Sequence, residues 1–248
     1  MGRVRDYATI VHRLRDLPRR EWRVESVGNI SGYPFFRVTR FIRGAPAVLL
    51  TAGIHGEEPG SVEGALRWLE GREWKRYRLS WFVLPCINPY GWERNQRRNA
   101  ERLDINRQFC KPHGCREAEL IKRLVRGHRF LFSFDLHEDV DAPGYYLYEL
   151  AHRPPFVGEK IIQAVRKVIP INRDKVIDGH ETTGLALIRR DSASLTQRRR
   201  WPMAYHLFLH CTDHILGSET PVRFPLYQRA RAHSMSLRAA LKMLVQKR

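Results

Sequence analysis

The stretch AVLLTAGIHGEEPGSVEGALRWLE, residues 47–70, decides the fold of this chain. It opens on an apolar run, residues 47–50, which predicts a buried strand. Beyond Gly53 and Gly56 the apolar positions take helical spacing and form one face, made of Val62, Ala65, Leu66 and Leu69. A buried strand that leads through a glycine turn into a helix is a building unit of α/β folds.

The turn between this strand and this helix carries His55 and Glu58, three residues apart. In an open α/β sheet, ligands bind beyond the carboxyl ends of the strands, where this turn lies. An imidazole and a carboxylate are two of the three protein ligands that a catalytic zinc site requires. The same pair also suits a solvated surface turn, so the choice depends on the rest of the chain.

The composition is typical of a globular protein. The chain has 248 residues, of which 43% are hydrophobic and 28% charged, and this predicts a single domain over residues 1–248. No apolar run reaches the ~20 residues of a membrane span, and the N-terminus shows no apolar leader. We therefore expect a cytoplasmic location and no membrane partner.

The net charge of +18 is carried mainly by arginines spread along the whole chain. Such a charge suits nucleic acid, a membrane surface or acidic substrates. The local clusters at 97–98, 189–190 and 198–200 lack the aromatic interleaving of a nucleic-acid fingerprint. Most of the charge is therefore interpreted as a solvated surface, and a smaller part as an attraction for acidic substrates.

Strands and helices alternate along most of the chain, which predicts an α/β fold with a central mixed, mostly parallel sheet flanked by helices. Beyond residues 47–70, the patterns predict strands at 22–27, 33–42, 79–85, 130–136 and 145–150, with strand-like segments at 206–210 and 215–216. They predict helices at 6–17, 117–125, 154–168 and 226–245. Residues 92–111 are predicted as a loop, 217–221 as a turn, and 172–200 as a loop or lid excursion within the domain.

Polar clusters follow several of these strands, and strand ends on one side of such a sheet line a single crevice. His55, Glu58 and His137 would form a zinc site there, with a fourth position open for water. Glu219 is the candidate carboxylate that takes a proton from that water. Arg97 is placed to donate to a developing oxyanion. Arg107, with Asn106, could hold a substrate carboxylate by a pair of hydrogen bonds.

The motifs HGEE (55–58), RRNAERLDINRQF (97–109), DLHED (135–139) and SETP (218–221) together resemble the zinc carboxypeptidase family. The wider superfamily includes aspartoacylases and succinylglutamate desuccinylases. The resemblance covers residues 48–225 and follows the family's order of HxxE, an arginine, an NR pair, a distant histidine and a late glutamate. It implies a three-layer α/β/α fold, one zinc ion, and attack of metal-activated water on an amide beside a free carboxylate.

The same resemblance gives two further residues a role. Asp104 would accept a hydrogen bond from His55 and orient it. Digestive members of the family carry a mobile tyrosine before the final glutamate, and Tyr205 is the nearby candidate here, at a shorter spacing. Arg97 is chosen over its arginine neighbours by its distance before Asn106.

Three functions remain open at this point. The favoured one is a zinc-dependent metallocarboxypeptidase that removes C-terminal residues from peptides. An N-acyl-amino-acid amidohydrolase would apply the same chemistry to a smaller substrate with a free carboxylate. We expect it less, because the chain ends soon after its final helix and leaves no room for the extra β domain of aspartoacylase-type enzymes. The alternative of another class is a basic polyanion-binding protein with a vestigial site. The sequence does not indicate an oligomeric state.

Overall fold

In the computed structural model, which describes residues 5–110, 113–190 and 200–245, a mixed sheet lies between two layers of helices. The strands of this sheet are β1 (Arg23–Ile30), β2 (Tyr33–Arg40), β3 (Ala47–Ala52), β4 (Ser80–Leu84), β5 (Phe132–Asp139), β6 (Tyr146–Ala151), β9 (Leu187–Arg189) and β10 (His214–Pro221). Two short strands, β7 (Val176–Ile177) and β8 (His180–Glu181), form a separate hairpin. The helices are α1 (Tyr7–Arg15), α2 (Pro59–Glu70), α3 (Pro89–Arg94), α4 (Arg116–Val125), α5 (Gly158–Val165), α6 (Met203–His210) and α7 (Leu226–Leu244), with 3-10 turns at Glu73–Arg76 and Ile105–Arg107.

The order of strands across the sheet is β1-β2-β4-β3-β5-β10-β6-β9, and its centre is parallel. Strand β3 pairs in parallel with β4 and β5, and β5 pairs in parallel with β10. Antiparallel pairs lie on either side of this centre, where β2 joins β1 and β4, and β6 joins β10. The predicted fold class is therefore confirmed, and the carboxyl ends of β3, β5 and β10 lie side by side.

The two faces of the sheet are both buried, which explains why its central strands are apolar without alternation. Successive side chains of a strand point to opposite faces. Val48 and Leu50 accordingly belong to the core layer that also holds buried residues of α1, α2, α5 and α7, while Leu49 belongs to the layer that holds those of α4 and α6. Burial of each such side chain contributes about 1.5–3 kcal/mol to folding, so this strand is strongly held in its register.

Two predictions near the end of the chain are wrong. Residues 206–210 belong to helix α6, and not to a strand. A short apolar run has no clear periodicity, so it does not distinguish a helix from a strand. Leu207 and Phe208 are buried in the helix, as they would be in a strand. Residues 217–221 form the end of β10, and not a turn. Pairing with β5 and β6 on both sides overrides the turn-like composition of this segment.

The predicted excursion at 172–200 is described as far as residue 190. It contains the β7–β8 hairpin and then β9, which joins the main sheet beside β6. Residues 191–199 of the predicted lid lie outside the described residues. The predicted loop at 92–111 holds the end of α3 and the turn Ile105–Arg107 in its described part. Within the three described ranges, every helix is too short or too polar to cross a membrane.

Candidate metal centre and cleft

The turn after β3 brings His55 and Glu58 to the same side of the sheet. Gly53 has a φ of +66°, a left-handed conformation that favours glycine, at the point where the chain leaves the strand. The hydroxyl of Ser61 accepts a hydrogen bond from the Gly53 N–H (3.2 Å) and donates one to the Glu58 carbonyl (2.6 Å). The turn is thereby fixed against the first turn of α2, which begins directly after Glu58.

His55, Glu58 and His137 meet at the ends of β3 and β5. Nδ1 of His55 lies 2.6 Å from Oε1 of Glu58, and Nδ1 of His137 lies 3.1 Å from Oε2 of the same carboxylate. One ligand atom from each residue lies within 4.8 Å of the other two, and all three side chains are buried. Two imidazole nitrogens and a carboxylate that converge in this way are the donor set of an open metal site. The residues present therefore fit a bound metal ion.

A carboxylate lies behind each histidine. Nε2 of His137 is 2.9 Å from Oδ2 of Asp135, whose Oδ1 accepts a hydrogen bond from the Thr51 hydroxyl (2.7 Å). Nε2 of His55 is 3.4 Å from Oδ1 of Asp104, the residue that the resemblance assigns to this place. Metal-binding histidines usually donate their second ring N–H to such a carboxylate, which fixes the tautomer and the ring orientation. The surroundings of the cluster thus match those of a metal centre.

These groups shift one another's pKa values strongly. Burial would raise the pKa of Glu58, but attraction to both histidines outweighs burial and lowers this pKa to about 2. Burial would lower the pKa of His137, but Asp135 and Glu58 outweigh it and raise this pKa well above its ordinary value. The pKa of His55 is raised against burial by Glu58 and Asp104. Positive charge is therefore favoured between these carboxylates, and a divalent cation can supply it in place of protons.

Glu219 lies on β10, next to this cluster. In the sheet it pairs with His137 of β5 on one side and with Tyr146 of β6 on the other. Burial is the main cause that raises the pKa of Glu219 well above its ordinary value, helped by the Glu58 carboxylate and opposed by His137. A carboxyl group that lines the cleft beside a metal cluster is placed to exchange protons with groups bound there.

The predicted substrate-binding residues line the same cleft of about 350 Å³ as the metal cluster and Glu219. Nε of Arg97 is 3.2 Å from Oδ2 of Asp104, and its Nη1 is 3.6 Å from Oε1 of Glu57. Arg107 donates to the Asn106 carbonyl at 2.9 Å. The Oδ1 of Asn106 accepts a hydrogen bond from the Met203 N–H (2.8 Å), so this side chain also holds the start of α6. The structure therefore brings the predicted residues together, while their roles stay predictions.

The structure shows where Tyr205 lies and which of the neighbouring arginines reaches the cleft. Tyr205 lies on α6, is buried and lines the cleft, so a role at the site remains open to it. Arg94 stacks over the ring of Tyr90 and bonds the hydroxyl of Tyr33 outside the cleft. Among its neighbours in sequence, Arg97 is the arginine that lines the cleft.

Sequence reasoning missed Asp135, Tyr146 and Tyr148, although a signal was present for each. Residues i and i+2 of a strand share a face, so Asp135 had to lie on the face of His137, and Tyr148 on that of Tyr146. Both tyrosines line the cleft, and the rings lie 5.8 Å apart. The hydroxyl of Tyr148 donates to Asp178 of the β7–β8 hairpin at 2.6 Å, which ties this hairpin to the cleft wall.

Two further carboxylates, Glu138 and Asp139, directly follow His137, but both are bound to other partners. The Glu138 carboxylate is bound to Arg229, and Asp139 accepts hydrogen bonds from Tyr146 and from two backbone N–H groups. In the part of the chain that the structure describes, His55, Glu58 and His137 are the one group suited to hold a metal ion.

The fold matches that of solved structures of a candidate metallopeptidase and of two carboxypeptidases. A candidate metallopeptidase from Shewanella amazonensis SB2B superposes with a TM-score of 0.79 at 22% identity, over 97% of this chain and 92% of the other. Carboxypeptidase A from Helicoverpa armigera superposes with a TM-score of 0.70 at 14% identity, over 98% of this chain and 74% of the other. A metallo-carboxypeptidase from Burkholderia cenocepacia superposes with a TM-score of 0.67 at 18% identity, over 95% of this chain and 67% of the other. At these identities the likeness shows the fold.

The family follows from the sequence. Residues 44–170, about half of the chain, match the succinylglutamate desuccinylase/aspartoacylase catalytic domain, and the chain belongs to this family. A search of curated proteins gives no match. The predicted superfamily is thereby confirmed, and the choice between peptide and N-acyl amino acid as substrate remains to be made.

Proposed function

We propose that the protein is a zinc-dependent hydrolase that removes C-terminal residues from peptides. The observation that carries the proposal is the convergence of His55, Glu58 and His137 beside Glu219, in a cleft that Arg107 also lines. Zinc is the metal that best suits two imidazoles, one carboxylate and an open position. The similarity in fold to metallopeptidases and carboxypeptidases supports a peptide substrate.

The chain's own residues supply the remaining steps. Zinc, when held by His55, Glu58 and His137, supplies the Lewis acidity that makes water a nucleophile at neutral pH. Glu219 accepts a proton from the attacking water and returns it to the leaving amine, because it pairs with His137 in the sheet and lines the same cleft. Arg97 donates to the amide oxygen as negative charge develops there.

Arg107 provides the selection for chain ends in this proposal. A guanidinium binds a carboxylate by two parallel hydrogen bonds, which a lysine or an amide donor does not reproduce. Within the described residues, no carboxylate lies within ion-pair distance of Arg107, whereas Arg97 is paired with Asp104. In this proposal one Nη1 donor of Arg107 stays with the Asn106 carbonyl, and its other donors bind a free substrate carboxylate at the side of the metal cluster.

A second candidate is an N-acyl-amino-acid amidohydrolase, and the matching family favours it. Cleavage of such a substrate needs the same metal ligands, the same proton acceptor and the same carboxylate partner. The two candidates differ in what lies on the acyl side of the amide, a peptide or a small acid. The net charge of +18 is the basis of a third candidate function, a polyanion-binding protein. This function predicts that polyanion binding weakens steeply as the salt concentration rises.

The test is mass spectrometry of defined substrates incubated with the zinc-loaded protein and with its Glu219→Gln variant. Each peptide is supplied with a free C-terminus and, as the control, with an amidated one, beside a panel of N-acyl amino acids. We expect rapid stepwise loss of C-terminal residues from the free peptides, much slower loss from the amidated ones, and very little loss with Glu219→Gln. Cleavage of N-acyl amino acids alone would establish the second candidate, and cleavage of neither would contradict both.

A further inference from the structure

The side chain of Glu138 lies on the opposite face of β5 from its neighbour His137, deep between the sheet and two helices. It is buried, and its carboxylate receives three donors from three different elements. The Gly60 N–H of α2 donates to Oε2 (2.6 Å), and the Thr220 hydroxyl of β10 donates to Oε1 (3.2 Å). The guanidinium of Arg229, on α7, forms an ion pair with Oε1. The charge of this carboxylate is thus paired with a guanidinium, and both of its oxygens accept hydrogen bonds.

The local sequence is adapted to this carboxylate. A Cβ atom at position 60 would lie 2.2 Å from Oε1 of Glu138, far inside van der Waals contact. Only glycine therefore lets the start of α2 approach the carboxylate so closely. The backbone N–H that donates is one of those that a helix N-terminus leaves without an internal partner.

Two of these contacts, and Glu138 itself, lie next to a residue of the proposed site. Gly60 is two residues after Glu58, Thr220 directly follows Glu219, and Glu138 itself directly follows His137. The carboxylate therefore joins the three elements that carry two metal ligands and the proton acceptor, on the side of the sheet away from the cleft.

We infer that Glu138 is a positioning residue that fixes Glu58, His137 and Glu219 relative to one another. This inference rests on the proposed function for the roles of those three residues. Functional sites must be held within about 0.5 Å of their working geometry. One buried carboxylate bonded to all three elements couples their positions, since none can shift without weakening a hydrogen bond to a charged group.

The chain contains a matched control in Glu149 of β6. This carboxylate is also buried, and it accepts hydrogen bonds from the Val157 N–H (2.6 Å), at the start of α5, and from Arg189 (2.9 Å). Its third partner is Nε2 of His214 (3.2 Å). Glu149 thus resembles Glu138 in being buried, in accepting from a backbone N–H at a helix start, and in pairing with an arginine. Its partners differ in that none of them is next to a metal ligand or Glu219 in the chain.

The experiment compares Glu138→Gln and Glu149→Gln with the unaltered protein. A neutral carboxamide keeps the volume but accepts through one oxygen only, so each variant must lose at least one of the hydrogen bonds that its carboxylate accepts. Zinc affinity is measured by competition with a chelator, the ligand geometry by the absorption spectrum of the Co²⁺ form, and folding by thermal denaturation. We expect both variants to lose stability, while only Glu138→Gln binds zinc about 10–100-fold more weakly and shows an altered Co²⁺ spectrum.

Two outcomes would overturn the inference. One is zinc affinity and a Co²⁺ spectrum in Glu138→Gln that equal those of the unaltered protein, and the other is an equal loss in Glu149→Gln. If Glu138→Gln does not fold, Thr220→Val replaces it, with an expected loss of a few-fold. This variant removes the hydroxyl that bonds Glu138 and His233 and leaves the Arg229 ion pair. Absence of zinc binding by the unaltered protein would contradict the proposed function and the inference together. Zinc binding without hydrolysis of any substrate would contradict the proposed function alone.

Discussion

One side of the cleft, the metal side, lies at the ends of strands and at the start of α2. It is defined as His55, Glu58, His137 and Glu219. The arginine side, defined as Arg97, Asn106 and Arg107, stands on the segment between α3 and α4. Backbone pairing holds the metal side, since Glu219 and His137 are partners in a parallel ladder. Side-chain hydrogen bonds hold the arginine side, through Asp104 and through the Met203 N–H.

This difference predicts two kinds of failure. On the metal side, each residue contributes to a geometry that the sheet already imposes, so its loss removes the chemistry and leaves the fold. On the arginine side, each residue depends on bonds made by its neighbours, so a substitution weakens substrate binding and leaves the metal in place. The variants below are chosen to separate these two results.

Glu58→Gln should have the largest effect. The carboxylate of Glu58 faces both histidine Nδ1 atoms, and a neutral carboxamide cannot offset a divalent cation in the same way. We expect zinc affinity to fall by more than the roughly 10–100-fold that follows loss of an outer partner, and hydrolysis to disappear with it. Metal analysis of the dialysed protein measures the loss. Glu57→Gln, at the adjacent cleft residue, is the control and should retain zinc; full zinc content in Glu58→Gln would disprove the ligand assignment.

Glu219→Gln should keep the metal and lose the reaction. The side chain lies beside the cluster but is not one of its ligands, and removal of a proton acceptor costs about 10²–10⁴-fold in rate. We expect kcat to fall by this factor at unchanged zinc content. Loss of zinc in parallel with activity would place Glu219 among the ligands and would contradict its proposed role.

Arg107→Met tests the arginine side. Hydrogen bonds to a charged group contribute about 1.5–3 kcal/mol, so kcat/KM for a substrate with a free carboxylate should fall by roughly 10–150-fold, with zinc content unchanged. The slow cleavage of an amidated peptide should be nearly the same in both proteins, because it lacks the group that Arg107 binds. An equal loss on free and amidated peptides would mean that Arg107 supports the fold of the loop and does not select the carboxylate.

The metal side was also the more predictable from sequence, for the same physical reason. Buried parallel strands have long apolar runs, and the polar residues that follow them must lie at one edge, so His55, Glu58 and His137 could be placed together. Glu219 is predicted from its place among the polar clusters that follow strands and turns, and the order of the family's motifs agrees with it, although its own segment is predicted as a turn. The Gly, Ser, Thr and Pro of residues 217–221 favour turns locally, and only the ladders with β5 and β6 make them a strand.

Contacts between elements distant in the chain were not predictable in this way. Helix α6 was missed because its apolar run is short, and Met203 is held by Asn106 across 97 residues of sequence. The bonds of Glu138 to Gly60 and Arg229 likewise depend on the packing of α2 and α7 against the sheet. Asp135 is an intermediate case, because its spacing to His137 indicates a shared face but not a hydrogen bond.

Asp135→Asn should give the smallest effect on the metal side, because Asp135 acts on the metal only through His137. Its Oδ2 lies 2.9 Å from His137 Nε2, while its Oδ1 is held by Thr51. A carboxamide that keeps the Thr51 bond presents an N–H to the histidine, and two facing donors would turn the ring or change its tautomer. We expect zinc affinity to fall about 10-fold, at the lower end for outer partners. Thr51→Val, which leaves the carboxylate in place, should lower the affinity less. Equal affinities in Asp135→Asn and the unaltered protein would show that the β5 backbone alone holds His137, and the difference between the two sides of the cleft would then be greater than we propose.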